Sequence, residues 1–358
     1  MSSEAVAAAS SKSKDTMMNH LVALLALPML ALAQNQYLMT VGGWGSQECQ
    51  SCPPGNPRAS LISLDPLIEV PECLRDLSDF KYLEGACMAN LLGDQPHVCG
   101  GWEAYTGYNN ACYRYDPNLD AWTYTGSFLE TRYGGYGVYG CGFTYAHGIV
   151  AAGGKGCING CGPGGPTPKG SVDYTTDGQR FGQLSDLPDG IENNCVVGLW
   201  GGDLFSAGGS TYGSVSEKAF IYDNNIDAWT QVSDMITPRE RLMCGAVLTG
   251  DGSQQEVVVA GGSVNTTTSE STDVVEIFSI RDGYWRMARP MPSQIMGATA
   301  VPIDNSFLIL GGWIRSTSDL IYRYHAGDDT WELLDARLPT PARGVAATMV
   351  NSYIFPSC

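Results

Sequence analysis

Cysteine, histidine and arginine are the residues of this chain with the most chemistry to offer. Twelve cysteines in 358 residues fit an oxidising compartment, where pairs close into disulfides. A cysteine nucleophile is not expected there. Past residue 34 the histidines are His97, His147 and His325. Their spacing matches no metal-ligand pattern, and all three read as turn or surface residues. No metal, cofactor or catalytic residue is therefore expected. Arg132, Arg239 and Arg343 each precede a short strand-like run. They are expected to ring one opening, where they either meet an acidic ligand or bond neighbouring backbone.

The elements that must position these residues are announced by six Gly-Gly pairs. The pairs are Gly42-Gly43, Gly100-Gly101, Gly153-Gly154, Gly208-Gly209, Gly261-Gly262 and Gly311-Gly312, set 50 to 58 residues apart. A repeat of that period is one supersecondary unit copied six times. Each pair ends a short apolar run, such as Val257-Val258-Val259-Ala260 or Phe307-Leu308-Ile309-Leu310, which reads as a buried strand. Further on, an aromatic is followed seven residues later by tryptophan: Tyr115 to Trp122, Tyr222 to Trp229, Phe278 to Trp285 and Tyr324 to Trp331. The third repeat keeps the interval as Tyr174 to Phe181. Turn formers such as Asp223-Asn224-Asn225 lie between, so each aromatic pair flanks a hairpin. The first repeat is degenerate, with Pro71 in place of the tryptophan. One more strand-like run precedes each glycine pair, for example Cys244-Gly245-Ala246-Val247-Leu248. Four strands per repeat cannot cover both their faces alone, whereas six such sheets packed round an axis can.

In phase, the glycine pairs, the Tyr-Asp steps at Tyr115-Asp116 and Tyr222-Asp223, the later tryptophans and the three arginines resemble the Kelch family. The resemblance covers roughly residues 37 to 355 and implies an all-β, six-bladed propeller of four-stranded antiparallel blades. The run Gly344 to Val350 reads as an inner strand without a blade of its own, and it is expected to complete the first blade. On this plan Cys99 and Cys112 fall on adjacent strands and form the best candidate disulfide. Cys157 with Cys161, and Cys49 with Cys52, sit in Gly/Pro-rich loops and either close small staples or bridge elsewhere. Cys87, Cys141, Cys195 and Cys244 fall on inner strands, as lone buried thiols or as bridges between neighbouring blades.

A leader precedes the repeats. Leu21 to Ala33 is an apolar run of 13 residues, too short for a span of about 20, and Ala31-Leu32-Ala33 is a small-x-small cleavage site. Residues 1–33 are therefore expected to be a leader and secretory signal, and 34–358 the exported propeller, with no membrane span. The net charge of −17 argues against nucleic acid and anionic membranes as partners. Asn265-Thr266-Thr267 is a glycosylation sequon, in a polar loop.

Two loops after glycine pairs are enlarged, from Trp44 to Arg58 and from Lys155 to Lys169. Both should emerge on one rim, either as a recognition surface or as tolerated insertions. Trp44, Tyr133 and Tyr136 are candidate binding aromatics, although many aromatics in such a fold pack between blades. The expected function is that of a secreted module binding an unidentified extracellular protein or glycan. The alternative is a secreted carbohydrate-active or galactose-oxidase-like enzyme using the central channel. Such oxidases hold copper with two histidines and two tyrosines, one of these linked to cysteine, and the three histidines here do not match. Intracellular Kelch adaptors form a third class, which the leader and the cysteines disfavour.

Overall fold

The computed structural model describes residues 36–45, 59–65, 70, 83–92, 94–103, 107–129, 141–144, 146–156 and 167–355. Residues 1–33, expected to be a leader, lie outside the described residues, as do Cys49, Cys52, Cys157, Cys161, Arg132, Tyr133, Tyr136 and most of both enlarged loops.

Six sheets form a propeller. From the axis outward, blade two comprises Cys87–Leu91, Gln95–Cys99, Ala111–Asp116 and Ala121–Ser127. Blade three comprises Cys141–Thr144, Gly148–Ala152, Val172–Thr175 and Gly182–Leu184. Blade four follows with Cys195–Gly198, Leu204–Ala207, Ala219–Asp223 and Ala228–Gln231. Blade five holds Met243–Leu248, Gln255–Ala260, Val275–Ser279 and Trp285–Met287. Blade six holds Thr299–Ile303, Ser306–Leu310, Leu320–His325 and Thr330–Arg337. Among the described residues blade one shows three strands: the C-terminal Ala346–Asn351, then Gln36–Val41 and Ala59–Ser63. Its first two pair antiparallel, from Gln36 opposite Asn351 to Val41 opposite Ala346.

Burial explains the sequence pattern. The second strands are covered on both faces by neighbouring blades, so Ser306–Leu310 is buried throughout and reads as a continuous apolar run. Outer strands such as Ala228–Gln231 are only partly covered. The glycine pairs sit where a second strand must turn against the next blade. The amide of Gly43 donates to Leu83 O at 2.7 Å, that of Gly209 to Arg239 O at 2.8 Å and that of Gly312 to Ala342 O at 2.9 Å. A Cβ on Gly208, at φ +63, would stand 2.6 Å from Arg239 O. Glycine is thus required both by the left-handed turn and by the close approach.

The aromatic pairs lie in van der Waals contact, with centroids 5.3 Å apart for Tyr115 and Trp122 and 4.9 Å for Tyr324 and Trp331. Three of the later tryptophans also latch their blade to the preceding one, whereas Trp122 Nε1 on blade two finds no acceptor among the described residues. Trp229 Nε1 donates to Ser185 O at 2.8 Å, Trp285 Nε1 to Ser233 O at 2.7 Å and Trp331 Nε1 to Arg289 O at 3.1 Å.

Cys99 and Cys112 form a disulfide across adjacent strands of blade two. Of the two readings of the inner-strand cysteines, the bridged one holds. Cys87–Cys141 joins blades two and three, and Cys195–Cys244 joins blades four and five. No helix among the described residues is long and apolar enough to cross a membrane.

Candidate recognition mouth

The residue following each glycine pair occupies an equivalent place on one face. These residues are Trp44, Trp102, Lys155, Ser210, Ser263 and Trp313. Five of them bridge to a residue three positions before an inner strand: Trp44 to Arg343, Trp102 to Glu84, Ser210 to Glu192, Ser263 to Glu240 and Trp313 to Met296. The next residue in each of those five segments is left-handed: Gly344 at φ +60, Gly85 at +67, Asn193 at +61, Arg241 at +54 and Gly297 at +64. The kink lets main-chain bonds pass from blade to blade round the axis. Arg241 N donates to Asn193 O at 2.8 Å, Gly297 N to Arg241 O at 3.0 Å, Gly344 N to Gly297 O at 3.1 Å and Gly85 N to Gly344 O at 2.9 Å. This belt frames the mouth of the channel. Asparagine is a common tolerated left-handed residue, but arginine at this angle carries local strain.

Side chains on the belt fall into two halves. On blades six, one and two stand Trp313, Trp44 and Trp102, each half-buried. The Arg343 guanidinium lies 5.5 Å from the centroids of both Trp44 and Trp313, a cation–π arrangement on two rings. Trp44 and Trp102 are 6.0 Å apart. Arg343 Nε also donates to Glu84 Oε1 at 3.1 Å. Burial pushes the Glu84 carboxyl up to about 7, against the opposing pull of Arg343. On blades three to five the mouth is polar. Lys155 Nζ meets Glu192 Oε1 at 3.3 Å and Arg241 Nε meets Glu240 Oε1 at 3.4 Å. Burial raises the Glu192 carboxyl above its usual range. Glu240 Oε2 accepts from Asn193 Nδ2 at 2.8 Å.

The structure redistributes the residues expected at this opening. Trp44 and Arg343 belong to it. Arg239 does not: its side chain is fully buried, and Nη2 pairs with the equally buried Glu276 at 3.1 Å. Its Nη1 donates to Val274 O at 2.6 Å and Gly261 O at 3.2 Å, so its charge is consumed inside the seam between blades. Of the histidines, His97 departs from the turn or surface reading, whereas His147 lies in a turn and His325 at the surface. His97 is fully buried, its Nδ1 2.7 Å from Gln95 O, and burial lowers its pKa. His147 is buried against the rings of Tyr174 and Tyr222, with Nε2 2.8 Å from Asn224 Oδ1. His325 is a surface residue, paired with Glu332 at 3.0 Å. Asn265 is exposed on the mouth side of blade five, where its Oδ1 accepts from Thr267 N at 2.8 Å and Thr268 N at 3.0 Å. Glu84, Trp102, Arg241 and Trp313 were not singled out from the sequence. Aligning the residue after each glycine pair would have found both tryptophans.

Repeat and architecture together define a Kelch-repeat β-propeller. Human Kelch-like protein 15 is 27% identical over 128 residues, which cover 36% of this chain and 19% of that protein. Mouse Kelch-like protein 23 is 20% identical over 182 residues, 51% of this chain and 30% of that protein. The matched segments thus span less than a third of either relative's own length. No family model matches the chain.

Proposed function

We propose that this chain is a secreted, disulfide-stapled recognition propeller that engages an extracellular protein or glycan through the belted mouth. One observation carries the reading. The position after each glycine pair is fixed by main-chain bridges, yet the side chain there changes round the ring, from tryptophan on blades six, one and two to lysine or serine on blades three to five. A rigid frame with variable side chains is what a preorganised binding surface requires. The inter-blade disulfides and the apolar leader support export, and Asn265 stands exposed where a glycan would be solvated. The relatives' names speak only of Kelch-like proteins and choose no ligand.

Intact mass of the expressed product, without reductant, tests the export half of this reading. A chain beginning near Gln34 with every cysteine oxidised is the expected result. An uncut chain carrying free thiols overturns export. The same spectrum exposes a bound metal or a tyrosine–cysteine link, either of which would replace the binding module with an oxidase.

A further inference from the structure

We propose that the mouth binds a neutral oligosaccharide, with Trp44, Trp102 and Trp313 as stacking platforms. The inference rests on the mouth being the recognition face, and it names the ligand class.

The first support is the aromatic half. Blades six, one and two are consecutive round the ring, so the three indoles lie side by side, and each is partly covered and partly offered to solvent. A pyranose ring presents a face of C–H groups, and an indole face attracts it through its negative quadrupole. Arg343 between Trp44 and Trp313 holds two of these planes in place.

Charge is the second support. The chain carries −17, yet among the described residues the three belt carboxylates each have a cation: Glu84 with Arg343, Glu192 with Lys155 and Glu240 with Arg241. A mouth built for a cation would leave carboxylates uncompensated, and one built for an anion would leave cations so. Matched pairs still retain hydrogen-bonding capacity, since a carboxylate has about four lone-pair sites and a guanidinium five N–H donors. Hydroxyl groups suit such pairs without disturbing their neutrality.

The third support is an unmet acceptor. Asn193 is 4% exposed, and its Oδ1 accepts no hydrogen bond from the described residues. It lies on the belt, and the same side chain bonds Glu240. A buried acceptor of this kind calls for a donor, and a sugar hydroxyl supplies one when the ligand displaces the groups that cover it. An extended peptide fits less well. The belt amides of Gly85, Arg241, Gly297 and Gly344 are already donated to neighbouring blades, so pairing with an added strand has little to engage.

The test is binding of the full exported chain to an array of neutral, acidic and cationic oligosaccharides, followed by calorimetry on the hits. Neutral glycans are expected to bind with little dependence on salt. Trp44→Ala and Trp313→Ala should each weaken binding about tenfold, the scale of an aromatic stacking contact, and Trp313→Phe should retain most of it. Trp200→Ala, in the turn on the opposite face, should bind as the wild type does. Thermal unfolding of each variant separates lost binding from lost fold. Absence of neutral hits, or hits confined to polyuronates or chitosan oligomers, overturns the ligand class. A protein partner lost on Trp44→Ala would retain the mouth and discard the sugar. Sugar binding that survives both tryptophan variants would discard the mouth itself.

Discussion

Two arginines that look alike in the sequence do opposite things in the fold. Arg239 and Arg343 each stand shortly before an inner strand. Their registers differ by one residue. The carbonyl of Arg239 accepts from the second glycine of a pair, as the carbonyl of Ala342 does at another seam. Arg343 is instead equivalent to Glu240, since the two bridge Trp44 and Ser263 at matching positions. In extended chain a shift of one residue turns a side chain to the other face. Arg239 therefore enters the seam and is spent on Glu276, whereas Arg343 reaches the mouth and rests on two indoles. Residue type before a strand is a poor guide to function, and register against the glycine pair is a good one.

The largest effect should come from breaking the seam arginine. Arg239→Met leaves Glu276 buried, with only the amides of Ile236 and Thr237 still donating to it. Uncompensated buried charge of this kind costs about 3–5 kcal/mol. Urea unfolding should show that loss, and adding Glu276→Gln should recover a large part of it. If the single variant is as stable as the wild type, the seam role of Arg239 is wrong.

The inter-blade disulfides come next. Cys195–Cys244 closes 49 residues between blades four and five, and Cys87–Cys141 closes 54 between blades two and three. Cys195→Ser with Cys244→Ser should cost about 2–4 kcal/mol. Removal of both bridges should approach the sum, because the two pairs share no residue and join different blades. Among the described residues, the seams between blades five and six and between six and one show no such bridge. They rest on clusters that include Phe307, Ile309 and Tyr322 for one, and Leu38, Leu308 and Val345 for the other. A reductant that leaves the protein as stable as before would show that the bridges add nothing to packing.

Much of this molecule was legible in its residues. The glycine pairs and the tyrosine–tryptophan interval act locally, since each marks a turn or a hairpin whose geometry depends on a few neighbours. Cys99 and Cys112 followed from the same plan because their strands are adjacent within one blade. The inner-strand cysteines were harder. Their pairing crosses a seam, and nothing local tells a thiol on one blade which thiol faces it on the next. The mouth was harder still. Glu84 and Arg343 are 259 residues apart, and only the return of the C-terminal strand beside Gln36–Val41 brings them together. His97 was misread for a related reason. It lies within Gln95–Cys99, where the turn holding Gly178 on blade three covers its ring.

The smallest effect separates the mouth from the seam most clearly, because it depends on pH. Glu84 has a folded pKa of about 7 against an ordinary value of 4.5. A raised carboxyl holds its proton more tightly in the folded state, so its stabilising contribution is complete below about pH 4.5 and is lost as pH rises through about 7. The roughly 2.5 pH units between those two values correspond to about 3.4 kcal/mol at roughly 1.36 kcal/mol per unit, and relaxation of the site should leave a loss on the order of 2 kcal/mol. Glu84→Gln should flatten the stability profile across that window and leave the variant more stable than the wild type at pH 8. Arg343→Met should lose only its two ring contacts at pH 5, about 1 kcal/mol, because Glu84 is largely protonated there and needs no partner. At pH 8 it should cost about 1 kcal/mol more, the scale of an ion pair that keeps some exposure. Arg239→Met, by contrast, should be costly at both pH values. Equal behaviour of the two arginine variants across pH would erase the distinction between seam and mouth.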